Sequence, residues 1–202
     1  MATTRSGAVA TVTLAAVMMT AGPAWSDALT EPDPTVVLHV ADRASVPADV
    51  LSEAKGLVGL AYGRIGVHLV WTDGHAVLAP ADGVLHLDVQ LLPTDVMHPD
   101  YLATHIDHVV LGKAYGPARL ARVFFDRVAD KATQTSAKVS LLLGSVIAHE
   151  VGHLLLPAFS HSPDGLMRAH WRGRPSSMPG FTDAQGTTIR ARLATRMHEP
   201  TE

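Results

Sequence analysis

Three residues within a five-residue stretch carry the most chemistry in this chain: His149, Glu150 and His153, in the segment HEVGH. On an α-helix, residues four apart lie on one face, so both imidazoles can reach a single metal ion. A carboxylate directly after the first His stands beside the metal's open position, where it can take a proton from water. The pattern matches the HExxH zinc signature. The plainer reading is a buried helix with two satisfied core histidines. The residues downstream weigh against it, because His161 follows and then a turn carrying Met167.

A catalytic zinc takes three protein ligands and keeps one position for water. His149 and His153 supply two. The third candidate is His161, eight residues past His153, which helical geometry alone cannot bring to the same ion. The chain must turn back after Leu156, and Pro157 supplies the break. Ser162-Pro163-Asp164-Gly165 then reads as a type I turn, with Pro second and Gly last. Asp164 and His170 are rivals for the third position. His98, His105 and His108 lie close enough in sequence to hold a second metal, although histidines so placed are more often solvent-exposed.

These residues need a scaffold. Residues 137–156 read as one helix of about 30 Å that is apolar on all sides and therefore buried. A membrane span is the competing reading, and Glu150 with two histidines near the helix end favours a core helix. Gly144, Ala148 and Gly152 form a small-residue stripe that lets a neighbouring element approach closely. Upstream, residues 35–40 read as a first strand, and 47–64 as a helix with Ser45 as its cap. Residues 67–71 and 84–91 read as two further strands. A long loop over 92–106 leads to two more strands, 108–114 and 120–128, and 131–136 is a polar connection. Thr182 opens a last helix with Gln185 as its capping-box partner, and Ile189, Leu193 and Met197 line its inner face. The expected class is α+β: a mixed, mostly parallel five-stranded sheet on a buried motif helix, with one helix upstream and one at the C-terminus.

Composition removes several functional classes. The 202 residues include 19 acidic and 16 basic side chains, a balance that gives no support for nucleic-acid binding. There is no Cys, so disulfides, thiolate metal sites and a lipid-modified cysteine are excluded, and any metal is held by His, Asp or Glu. A hydrophobic fraction of 47% suits a packed core. The N-terminus reads as a secretory signal, with Arg5 as the charged region, an apolar run over 7–19 and cleavage after Ser26. Residues 27–34 then form a flexible lead-in and 35–202 a single domain. The expected product is secreted or periplasmic, with no stable membrane anchor after cleavage.

The run HEVGHLLLPAFSHSPDGLM resembles the metzincin zinc peptidases, most of all the matrixin branch, whose pattern is HExxHxxGxxH followed by a Met-turn. Specific similarity is confined to His149 through Met167. The order of upstream elements is similar too: strand, helix, then four strands before the motif helix. The resemblance implies one catalytic Zn2+ held by His149, His153 and His161. It makes Glu150 the general base for zinc-bound water and Met167 an apolar floor beneath the metal. Two departures stand out: the step from His153 to His161 is two residues longer than the family's, and Leu156 occupies the position of the family glycine.

The resemblance further implies that a peptide or protein substrate lies along an edge strand, here 108–114. Residues 168–178, including Trp171, would then wall the pocket beyond the cleaved bond. The function so implied is an exported zinc metalloendopeptidase. Two other readings remain: a non-catalytic zinc-binding domain of the same fold, and a zinc amidase acting on a cell-wall peptide.

Overall fold

The computed structural model describes residues 33–74, 84–94, 110–170 and 176–197, which belong to one compact unit. The expected signal segment, most of the expected lead-in, His98, His105, His108 and Trp171 lie outside them, as does the side chain of Met197.

Five strands form one sheet. They are β1 (Thr35–Asp42), β2 (His68–Asp73), β3 (Leu85–Leu92), β4 (Gly112–Tyr115) and β5 (Leu120–Phe124), in the order β2-β1-β3-β5-β4. The pairs β1–β2, β1–β3 and β3–β5 are parallel, and β4 runs antiparallel to β5 at one edge. Among the described residues, four helices accompany the sheet: α1 (Ala48–Gly63), α2 (Phe125–Thr135), α3 (Val139–Leu155) and α4 (Asp183–Met197). This is the expected α+β architecture, with the mixed, mostly parallel sheet in place. Alternation along β1 and β3 buries Val36, Leu38 and Val40 with Leu85, Leu87, Val89 and Leu91, the period-two signature of strands with one face on a core.

The helix α3 is the centre of that core. Every residue from Ser140 to Leu155 is buried except His153, because α1, α2, α4, β4 and β5 all pack around it. That enclosure explains a helix with no polar face, and no helix among the described residues is long and apolar enough to cross a membrane. The small-residue stripe works as expected. A Cβ at Gly144 would stand 3.1 Å from the Ala54 carbonyl of α1, and one at Gly152 only 2.6 Å from Met167 Sδ. Between them, Tyr62 Oη donates to the Ala148 carbonyl at 3.0 Å.

Three local expectations are corrected. Residues 125–135 form the helix α2 rather than the end of a strand and a polar connection. Val128 and Ala132, four apart, are its buried face, so the period changes from two to 3.6 immediately after Phe124. An additional helix thus stands between the last strand and the motif helix. The strand expected over 108–114 is shorter and later, at Gly112–Tyr115. Ser45 does not cap α1: it sits at a left-handed φ of 52°, and the Asp42 carboxylate instead accepts from the Ala44 and Val46 N–H groups. The capping box of α4 is as expected, with Thr182 N–H donating to Gln185 Oε1 and Gln185 N–H to Thr182 Oγ1.

Candidate metal centre

His149 and His153 leave α3 on one face, as the four-residue spacing requires. Their Nε2 atoms are 3.0 Å apart, and His161 Nε2 is 3.1 Å from that of His153. The three ligand atoms all fall within 4.8 Å of one another, the one such histidine or acidic group among the described residues. With metal–nitrogen bonds of about 2.0–2.1 Å, tetrahedral ligand nitrogens lie roughly 3.3 Å apart, so the convergence fits a single small ion. Three neutral nitrogens without thiolates suit zinc. Asp164 and His170 are both exposed and outside this group.

Each helix-borne imidazole is oriented from behind. His149 Nδ1–H donates to the Leu166 carbonyl at 2.9 Å, and in the tautomer that frees Nε2, His153 Nδ1–H donates to Ser160 Oγ at 3.1 Å. Such outer partners fix the ring and its lone pair. Burial lowers the pKa of His149, the Leu166 bond pulls it back, and the charge of a protonated His161 would lower it further. Burial, with His149 and His161 beside it, lowers His153 to about 4. Both rings are therefore neutral near pH 7, the state that binds metal.

Glu150 is buried next to the histidines, against the edge strand. A Cβ at Gly112 would come within 2.7 Å of Glu150 Cγ and 3.0 Å of the Arg122 carbonyl, so the bare glycine makes room for the carboxylate. Burial pushes Glu150 up to about 8, while a hydrogen bond from the Ala114 backbone pulls it back. With no ion beside it this favours the protonated acid near pH 7, and a dication held by the neighbouring histidines would lower it toward the carboxylate that can take a proton.

His161 arrives by a loop. Leu156 is extended, at φ −92° and ψ 164°, and Phe159 takes the left-handed conformation, at φ 61°. A left-handed residue thus stands two positions before His161, on the path that turns the chain back after α3. The loop closes where Ser162 N–H donates to the Met167 carbonyl at 2.9 Å. Gln185 Nε2 donates to Ser162 Oγ at 3.0 Å, which ties the loop to the start of α4. Met167 is fully buried against Gly152.

A cleft of about 660 Å³ opens beside these residues, between Gly112 and Ala114 of β4 on one side and α4 on the other. A smaller cavity of about 110 Å³ adjoins His149 and Glu150 and is lined by Arg168; of the wall expected over 168–178, the described residues Ser176, Ser177 and Met178 instead line a separate cavity against α1. Sequence reasoning missed Ser160, the Gln185–Ser162 tie, the clearance at Gly112 and the arginines of α4. Only Ser160, next to His161, carried a local hint.

No family model and no curated protein sequence matches the chain. Among solved structures it is similar to the archaemetzincin of Methanopyrus kandleri, at 16% identity and a TM-score of 0.47, over 82% of this chain and 98% of that one. It is also similar to a zinc-dependent peptidase of Methanocorpusculum labreanum, at 16% identity and a TM-score of 0.40, over 78% and 99%. Likeness this remote transfers no residue roles.

Proposed function

We propose that this chain is an exported zinc metallopeptidase of metzincin type with a lengthened path to its third ligand. The observation that carries the reading is the convergence of three imidazole nitrogens, with neighbours 3.0 and 3.1 Å apart, beside a buried carboxylate on an open cleft. His149, His153 and His161 would hold the ion, and Met167 would floor the site. When bound, zinc supplies Lewis-acid polarisation of a carbonyl and a lowered pKa for water. Glu150 takes the proton from the attacking water and delivers it to the leaving amine. The edge strand β4 offers backbone groups along which an extended peptide can lie. A structural zinc site is closed by four protein ligands, whereas this one gathers three histidines and a carboxylate positioned by Gly112. Export rests on the N-terminal signal pattern.

The test compares wild type with Glu150→Gln for zinc content and peptide cleavage. Catalysis predicts equal zinc and a fall in turnover of about 100-fold or more in the variant. Equal turnover in both proteins would remove Glu150 from the mechanism. Zinc binding without cleavage of any peptide by wild type would leave a non-catalytic zinc domain.

A further inference from the structure

The cleft beside the histidines is more basic than the chain that builds it. The protein carries 19 acidic against 16 basic side chains, yet Lys113, Arg192 and Arg196 line the cleft, and Glu150 is the one carboxylate among its described lining residues. Arg192 and Arg196 stand four apart on α4, where like charges work against the helix. Arg196 lies in the last turn, where a cation is favourable to the helix dipole. That argument does not extend to Arg192.

Arg190 shows what a structural arginine on this helix looks like. Its Nη1 donates to the Ile65 carbonyl at 2.8 Å and its Nη2 to Thr187 Oγ1 at 3.4 Å. Arg192 differs, because its Nε is buried with no hydrogen-bond partner. A buried donor without an acceptor is costly, and because this Nε has no exposed surface, a ligand in the cleft relieves that cost when the guanidinium turns to meet it. A guanidinium fork matches a carboxylate in both geometry and charge.

The geometry points to Arg192 as the anchor of a subsite for a substrate carboxylate. The peptide presented to the three histidines and Glu150 then carries a carboxylate near the bond to be cut. The carboxylate is either the free chain terminus or an Asp or Glu side chain. This inference rests on the peptidase reading. Lys113 and Arg196 add a favourable field around the subsite, and Arg192 supplies the directed hydrogen bonds.

The experiment uses zinc-loaded protein and three matched peptide sets. One is neutral with a free C-terminus, one is amidated with an internal Glu at each position in turn, and one is neutral and amidated. Wild type is expected to favour a carboxylate-bearing set by about 10- to 100-fold in kcat/KM, and which set wins identifies the source. Arg192→Gln should collapse that ratio, mainly through KM, and Arg192→Lys should recover part of it. Equal use of all three sets by wild type would overturn the subsite, as would an equal loss on all sets in Arg192→Gln. If wild type cleaves nothing, the peptidase reading fails on its own. Calorimetric binding to zinc-loaded Glu150→Gln then decides the subsite, with an N-acetylated tripeptide acid set against its amide. Tighter binding of the acid that is lost when Arg192→Gln is added supports it, and equal binding of acid and amide overturns it.

Discussion

His149 and His153 sit on a helix packed on every side, whereas His161 sits on an exposed loop. The three ring nitrogens nevertheless converge to within one ion's reach. On α3, the backbone ladder and the surrounding core set the ring positions before any side-chain contact is made. On the loop there is no ladder. The position of His161 depends on a few separate contacts: the Ser162–Met167 backbone bond, the Leu166 N–H to Gly180 carbonyl bond at 2.7 Å, and the tie from Gln185. Two imidazoles are therefore pre-organised by folding of the core, and the third by the docking of α4 and the segment before it. Pre-organisation of ligands and their supports governs metal affinity.

The comparison can be broken most directly at the ligands. His149→Ala and His161→Ala should each weaken zinc by more than about 100-fold, beyond what loss of an outer partner costs, as read by competition with a chromogenic chelator. An unchanged affinity in His161→Ala would leave the loop out of the site altogether.

Gly112→Ala tests the helix side through the base rather than the metal. The added Cβ must displace Glu150 or the edge strand, since the carboxylate's Cγ would lie 2.7 Å away. A shift near 1 Å lowers kcat by about 100-fold with zinc content preserved, and wild-type kcat in this variant would mean the carboxylate position is not critical.

The loop side has a milder test. Gln185→Ala removes the side-chain half of the capping box and the tie to Ser162, while the Gln185 N–H bond to Thr182 Oγ1 remains. Zinc affinity should fall by about tenfold, as for other supporting contacts, and α4 should lose about 1 kcal/mol in denaturant titration. A loss of stability without any loss of zinc affinity would show that the tie does not position His161.

The smallest effect is expected at Phe159, exposed and held at φ 61°. Glycine relieves that conformation at the cost of a freer unfolded chain, so Phe159→Gly should raise stability by less than about 1 kcal/mol in thermal melts. A clear destabilisation would show that the Phe159 ring, rather than the turn, matters there.

Some of this was written in local spacing. The HEVGH segment placed two imidazoles on one helix face whatever surrounded it, because a 3.6-residue period is a property of the backbone. The uninterrupted apolar run predicted burial of α3, and the Gly144–Ala148–Gly152 stripe predicted close neighbours without saying which. Thr182 and Gln185 are three residues apart, so their reciprocal bonds were also legible. The helix α2 was missed because Phe125 and Val128 read equally well as the end of a strand, and only packing against α3 resolves a short apolar stretch of that kind.

The remaining features join residues far apart in the chain, and spacing carries no information about them. Which side chain joins the two helix-borne imidazoles depended on how a loop without regular structure folds back, and that was decided by bonds to Met167 and Gln185. Gly112 meets Glu150, and Arg192 meets the cleft, only because β4 and α4 pack on either side of α3. The sequence by itself determined two imidazoles on one helix face, the carboxylate beside them and the helix that carries them, since those follow from short-range backbone geometry. The third imidazole, the clearance around Glu150 and the charge lining the cleft were decided by tertiary packing, because each depends on contacts between segments that the chain order does not place together.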